Sequence, residues 1–413
     1  MSRAKQSRIS LLAAAAIMGL TLAGCGTVGG VTESGTATAG AGPEATAQAE
    51  NTAAGNNKIL VATQSPLSGP LSNLGDTIKS GAEYAIKLKQ EEFKQLGFDL
   101  QLFPQDDQAD PKQGVANAEL LIANPAVLGV IGHLNTGVSI PASVKYESAH
   151  LVMISPTNTG VQLTEEGRKV VHRICARDDQ QGPKAAKYAQ KQLGVKSVFI
   201  IHDKTAYGQG LSGQVKAQFE QDGVKVLGYE GVTPGEKDYS AMLNQVTAKK
   251  PDMVYMGTTY AEAGILVKQG RDKGFAGIFM GGDAIDSSET YRIAGPAIEG
   301  VIFTTAAGDV TQTEQGKQWV ADYEKTMGKK PETYAVYAFD STNVLLNGIL
   351  EAMKANGGKK PSREQVLASV HKTKDFQGEF SKVSFDEKGD NTFADIFVYK
   401  YGKERTAYVG IID

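Results

Sequence analysis

From Lys58 onward, short apolar runs alternate with longer segments whose apolar residues recur every three or four positions. The runs "KILVATQ" (58–64), "FDLQLFPQ" (98–105), "AVLGVIGHL" (126–134) and "LVMIS" (151–155) read as strands. Between them, "GDTIKSGAEYAIKLKQEEFKQLG" (75–97), "DPKQGVANAELLIAN" (110–124) and "TGVSIPASVKYESAH" (136–150) have helical spacing. Asp110 before Pro111 suits a helix start, with Asp as cap and Pro as first residue. The rhythm resumes with strands at "KSVFIIHD" (196–203), "VKVLGYEGV" (224–232), "DMVYMGTT" (252–259) and "GIFMGGD" (277–283), separated by further helical segments. Short apolar strands joined by helices of about 10–20 residues define βαβ units and parallel sheets. A break near "ARDDQQGP" (176–183) divides the series into two doubly wound, Rossmann-like lobes.

In open α/β sheets, ligands bind beyond the carboxyl ends of the strands. Those ends carry "PLSGPLSNLG" (66–75), "HLNTG" (133–137), "SPTNTG" (155–160), "HDKTAYGQG" (202–210), "GTTYAEAG" (257–264) and "GGDAIDSS" (281–288). Hydroxyls, carboxylates and tyrosines dominate. Such groups suit a small zwitterion: hydroxyl and backbone N–H donors hold a carboxylate, and a carboxylate with carbonyl oxygens holds an ammonium. In "SPTNTG" the hydroxyls are expected either to meet such a ligand or to cap the turn.

The first 24 residues have the plan of a secretory signal, with Arg3, Lys5 and Arg8 ahead of the apolar run "ISLLAAAAIMGLTLA". "LAGC" (22–25) resembles a bacterial lipobox, which implies cleavage before Cys25 and lipid on its sulfur. Residues 25–56 are Gly, Ala and Thr with little to bury, a flexible tether. Cys175 is the one other cysteine, so no intramolecular disulfide is expected and its thiol reads as buried structure. Formal net charge is −3 with no long basic run, which argues against nucleic acid.

Signatures of catalysis are missing: no G-x-S-x-G, no phosphate-binding G-x-x-x-x-G-K-[ST] and no H-E-x-x-H. Gly208, Gly210 and Gly213 do fall in a G-x-G-x-x-G frame, but five residues separate Asp203 from Gly208, too far for a phosphate-cradling turn. The five histidines have no metal-ligand spacing; His133 and His202 close strands, where bonding to nearby backbone is expected. Neither a metal nor a cofactor is expected.

Many segments in one order, among them "SGP", "DPKQ", "VIGHL", "ISP", "DQQGPKAAKY", "HDKTAYGQGL", "GEKDYS", "FMGGD" and "AGPAIEG", resemble the periplasmic branched-chain amino acid (Leu/Ile/Val) binding proteins, the substrate-binding lipoproteins of ABC transporters. The resemblance implies the type I periplasmic binding fold: two lobes, three hinge crossovers, and one amino acid between them. Residues 57–177 and 306–380 would form one lobe, and 178–305 and 381–413 the other. The hinges would fall near Ala176–Asp178, Thr304–Ala307 and Phe380–Asp390. Carried over by position, the ligand carboxylate would meet Thr136 and the Thr159 backbone. The ammonium would meet Asp283, the Thr157 carbonyl and the Thr159 hydroxyl, and Tyr207, Tyr260 and Tyr334 would line the cleft.

Three departures from the family pattern involve four positions. A disulfide of the type members is replaced by Ala109 and Asn135, so that loop is expected to hold by packing. Leu74 stands for an aromatic wall residue, and Asp283 for a glutamate. The implied function is capture of a small amino acid, with aliphatic Leu, Ile or Val expected, by an exported, membrane-anchored monomer that serves an ABC permease and performs no catalysis. The alternative is a receptor of the same fold for another small polar ligand, such as an amide, urea, γ-aminobutyrate or an aromatic acid.

Overall fold

In the computed structural model, which describes residues 57–403 and 406–412, the apolar runs form two parallel sheets. The first contains β1 (Lys58–Ser65), β2 (Asp99–Asp106), β3 (Val127–Gly132), β4 (Met153–Ser155) and β5 (Val171–Arg173), in the order β2-β1-β3-β4-β5. All of its pairings are parallel. Every residue of β3 is buried, as expected for a central strand covered on both faces. The intervening helices are α1 (Ser72–Gln95), α2 (Pro111–Ala123), α3 (Thr136–Ser148) and the short α4 (Gln162–Glu165). Asp110 caps α2 as its sequence suggested, accepting from the Lys112 and Gln113 amides.

The second sheet repeats the winding. Helices α5 (Asp178–Leu193), α6 (Ala206–Gln221), α7 (Ser240–Lys249) and α8 (Tyr260–Asp272) connect β6 (Ser197–His202), β7 (Lys225–Gly231), β8 (Met253–Gly257) and β9 (Ile278–Gly281). After α9 (Ser288–Ala294) comes β10 (Ile302–Thr305), giving the order β7-β6-β8-β9-β10. The chain then returns to the first sheet with α10 (Glu314–Met327), α11 (Thr333–Ala355) and α12 (Arg363–His371); α11 packs along α1, and α12 reaches β3. A two-stranded ribbon, β11 (Phe376–Gln377) and β12 (Lys382–Val383), precedes β13 (Phe397–Tyr401) and β14 (Thr406–Ile411), which extend the second sheet beyond β10 in antiparallel register. Apolar cores flank both sheets: Ile59, Val61 and Ile131 with Leu345 on one side of the first, and Phe199, Val254 and Phe279 on one side of the second.

In each sheet the winding reverses beside the first strand, between β1 and β3 and between β6 and β8. These reversals are where adjacent loops splay apart and leave a crevice. The Gly208–Gly210–Gly213 frame has a packing explanation here. A Cβ on Gly208 would lie 2.2 Å from the Asp203 carboxylate and 2.4 Å from the Gly257 carbonyl oxygen. The glycine lets α6 start against strand ends, and the facing carboxylate is a poor neighbour for a phosphate. Gly213 faces open space.

Two substitutions separate these roles. Gly208→Ala is expected to lower unfolding stability by about 2 kcal/mol or more through overpacking. Gly213→Ala should raise it by about 0.5–1 kcal/mol, since a half-buried helical position with room for a methyl gains from the lower chain entropy of alanine. Denaturant unfolding followed by circular dichroism measures both.

Candidate functional site

The crevices of the two sheets face each other across a cavity of about 440 Å3. From the first sheet, Pro70 and Leu71 follow β1, Gln108 and Ala109 follow β2, and Asn135–Val138 follow β3. From the second, Asp203–Tyr207 follow β6, Pro234 and Gly235 follow β7, and Thr259 and Glu262 follow β8. Its walls are mainly apolar, with a few polar groups, the pattern of a site that fixes a ligand's orientation while burying its bulk. A second cavity, about 510 Å3, lies among the crossovers, lined by Ile174, Ala307, Tyr337 and Phe380. It gathers the segments just beyond β5 and β10, and not the loops beside the two reversals.

Asp283 follows β9 and is buried. Its two carboxylate oxygens accept from Tyr207 Oη at 3.0 Å and from Tyr334 Oη at 2.7 Å. Tyr207 stands in the first turn of α6 and Tyr334 in that of α11, so this triad joins the two halves. Burial pushes the Asp283 carboxyl above its ordinary range, against the pull of the tyrosine hydrogen bonds. Tyr260, first residue of α8, donates its hydroxyl to the Pro70 carbonyl in the loop after β1. Burial raises its pKa to about 12, so it acts as a donor.

The loop 155–160 divides its hydroxyls by role. Ser155 Oγ accepts from the Asn158 amide at 2.9 Å and donates to the His133 carbonyl at 3.3 Å, so it caps the turn. Thr136 Oγ1 donates to Asn158 Oδ1 at 3.2 Å. Thr157 Oγ1 and Thr159 Oγ1 are buried without a hydrogen-bond partner. Buried polar atoms left in this way cost about 1–3 kcal/mol each, a cost a ligand can remove.

Asp178, which the sequence reading did not single out, belongs to this group. It opens α5 after the short connection from β5, fully buried, and its backbone N–H donates to the Thr159 carbonyl at 2.9 Å. Neither carboxylate oxygen is in a regular hydrogen bond, although the Thr159 hydroxyl is near enough to favour the ionised form. Burial dominates and pushes its pKa up to about 7, with the Asp283 charge adding to the rise. The available signal was position, since Asp178 opens the helix that follows β5, after a short connection.

Other expectations resolve differently. Leu74 sits in the first-sheet core, 1% exposed, while Pro70 and Leu71 carry that loop to the cavity. The loop of Ala109 and Asn135 is held by more than packing. Buried Asp107 accepts from the Ala109 amide at 3.0 Å and meets His133 Nδ1 at 3.2 Å. His133 therefore bonds side chains, Asp107 and Tyr146, rather than backbone. His202 does accept a backbone amide, that of Lys204. Cys175 is buried, and burial pushes its thiol pKa well up. Cys25 lies outside the described residues. Among the described residues, no cluster of three or more His, Cys, Asp or Glu is placed to hold a metal ion.

Known proteins share the sequence pattern and the fold. A Leu/Ile/Val-binding protein homolog from Brucella suis is 36% identical over 345 residues, covering 84% of this chain and 91% of that protein. The crystal structure of a leucine-binding protein from Thermotoga maritima superposes with a TM-score of 0.79 at 28% identity, covering 86% of this chain and 99% of the other. A branched-chain amino acid transporter substrate-binding protein from Streptococcus pneumoniae, solved with isoleucine, shares the fold with a TM-score of 0.76 at 21% identity, over 86% of this chain and 99% of its own. The family model described as periplasmic binding protein matches residues 58–405, and the chain belongs to that family.

Proposed function

We propose that this protein is the extracytoplasmic substrate-binding component of an ABC transporter and captures leucine, isoleucine or valine by closing its two lobes. One observation carries the ammonium assignment: Asp178 and the Thr157 and Thr159 hydroxyls are buried acceptors without regular hydrogen bonds, beside an Asp283 already shared by two tyrosines. A desolvated ammonium has three N–H donors and a positive charge, which matches that set. In this reading Asp178 and Asp283 share the charge, Thr157 and Thr159 add acceptors, and Thr136 with the Thr159 amide receives the ligand carboxylate. The apolar walls of the cavity then favour an aliphatic side chain. Relatives named for Leu, Ile and Val binding support the same choice.

The reaction is a conformational equilibrium without chemistry on the ligand. Residues 57–177 with 306–380 form one lobe and 178–305 with 381–413 the other, hinged near Ala176–Asp178, Thr304–Ala307 and Phe380–Asp390. The Tyr334–Asp283 and Tyr260–Pro70 bonds hold the closed form. Ligand that contacts both lobes binds this form better and shifts the population toward it. A permease then reads the closed surface, and lipid on Cys25 keeps a monomeric receptor at the membrane. Among the described residues no helix is long and apolar enough to cross a membrane.

Thermal unfolding of protein stripped of ligand, against all L-amino acids, urea, short amides and γ-aminobutyrate, tests this reading. Leucine, isoleucine or valine at 100 times its dissociation constant should add about 2.7 kcal/mol of stability. A response confined to a compound without an α-ammonium would overturn the assignment. Asp283→Asn is expected to weaken leucine binding by about 2–5 kcal/mol in titration calorimetry. Asp178 predicts a pH profile. Its carboxyl stays protonated to about pH 7 in the ligand-free protein, whereas a bound ammonium favours the ionised form. Leucine affinity should therefore fall about tenfold from pH 8 to pH 6, and Asp178→Asn should flatten that slope. The raised pKa also means that this group costs the ligand-free protein stability as pH rises from about 4 to 7.

A further inference from the structure

The loop that carries Thr157 and Thr159 is gripped from behind by a buried arginine. Arg173, the last residue of β5, is 0% exposed. Its Nε bonds the Asp390 carboxylate. Nη1 donates to the Asn158 carbonyl at 3.1 Å and to the Gly160 carbonyl at 2.8 Å, and Nη2 to Thr164 Oγ1 at 2.6 Å. Thr164 in turn donates its hydroxyl to Asp390 Oδ2 at 2.9 Å, where Arg177 also donates at 2.8 Å. Burial alone would raise the Asp390 pKa, but the charges and hydrogen bonds of Arg173 and Arg177 outweigh it and hold the carboxyl below its ordinary range.

Asp390 belongs to a segment far along the chain, between β12 and β13. That segment lies directly on β5: the Arg173 amide donates to the Gly389 carbonyl at 2.9 Å. Gly389 has φ +91°, and a Cβ there would sit 2.1 Å from the Val171 carbonyl oxygen. The close seat places Asp390 behind the loop. A buried guanidinium is costly to desolvate and adds little net stability over well-packed apolar residues, so stability by itself gives weak reason for it.

Peptide planarity supplies a stronger one. The C=O and N–H of one trans peptide point in opposite directions. With the Asn158 carbonyl drawn to Arg173, the Thr159 N–H of the same peptide must point away, off the other side of the loop. We propose that Arg173, anchored by Asp390, is the positioning residue of the ligand loop. By holding the Asn158 and Gly160 carbonyls it turns the Thr159 N–H toward the cleft, where it meets the ligand carboxylate. This rests on the proposed amino-acid site for the ligand, and on the hydrogen bonds above for the loop geometry. The same bonds tie the loop to Arg177 in the first crossover and to Asp390 in the third, so loop order and lobe closure share one anchor.

Arg173→Lys keeps the charge, but a single ammonium on a flexible stem cannot span Asp390 and two carbonyls in a fixed fork. Two readouts apply to the purified protein. Hydrogen exchange without ligand, followed by mass spectrometry, should quicken about tenfold in the segment 157–161 while β1 and β3 keep their protection. Leucine affinity, by calorimetry below the melting temperature of the variant, should fall about tenfold or more. Should Arg173→Lys not fold, Asp390→Asn leaves the guanidinium in place and is expected to produce both effects at about threefold. An effect on melting temperature alone, with loop exchange and leucine affinity within twofold of the unaltered protein in a folded variant, overturns the proposal. The exchange readout needs no ligand. A protein that binds no leucine would therefore defeat the ligand reading while leaving the role of Arg173 to be decided by loop exchange.

Discussion

Two carboxylates, Asp178 and Asp283, are buried together where the halves of this protein meet, and the rest of the site is arranged around keeping them there. A buried carboxylate must be hydrogen-bonded, paired or protonated. Asp283 is satisfied by Tyr207 and Tyr334, one from each half. Asp178 has no such pair of bonds, and burial pushes its pKa up to about 7 against the pull of the Thr159 hydroxyl and the Arg173 charge. Burial raises the pKa of both acids, but only Asp283 has two tyrosine hydrogen bonds to offset it, and the proposed ligand ammonium would relieve Asp178.

The fold explains why those groups converge. Both sheets reverse direction beside their first strand, and each places its strand ends at the same crevice. Facing the crevices together makes a cavity to which loops distant in the chain each contribute a residue or two. Polar atoms at strand ends are held by local bonds, such as Asp110 on the start of α2 or Ser155 on its turn. Others are left buried without partners, among them Asn135, Thr157, Thr159, Asp178, Gln181 and Asp203. Behind the loop of Thr157 and Thr159, the Arg173–Asp390 pair substitutes charge for the rigidity that a three-residue strand such as β4 or β5 could not supply.

The alternation of apolar runs and helical spacing made the two doubly wound sheets legible, because period and strand length are local properties. The tail was harder: α10 to α12 and the antiparallel β13 and β14 were not individually readable, and Tyr334 was reached through family resemblance alone. The site was legible at the strand ends but not in its pairings. Asp107 with His133, Arg173 with Asp390 and Tyr207 with Asp283 join residues 26, 217 and 76 positions apart, and no local pattern signals such contacts. Asp178 escaped for a related reason. Its segment read as a boundary between lobes, when the boundary itself carries the unpartnered acid. Leu74, read as a loop position, stands in the first turn of α1, buried in the apolar cluster that also holds Tyr260 and Tyr334.

The most direct test of an ammonium-seeking site compares leucine with its α-hydroxy analogue, which keeps the side chain and carboxylate but replaces the ammonium with a hydroxyl. Calorimetric titration of ligand-free protein with each would isolate that one group. Binding of leucine with a loss of about a hundredfold or more for the analogue is the predicted result, since a buried acid would be left without its counter-charge. Equal affinity for the two compounds would contradict the account, because Asp178 and Asp283 would then hold no cation.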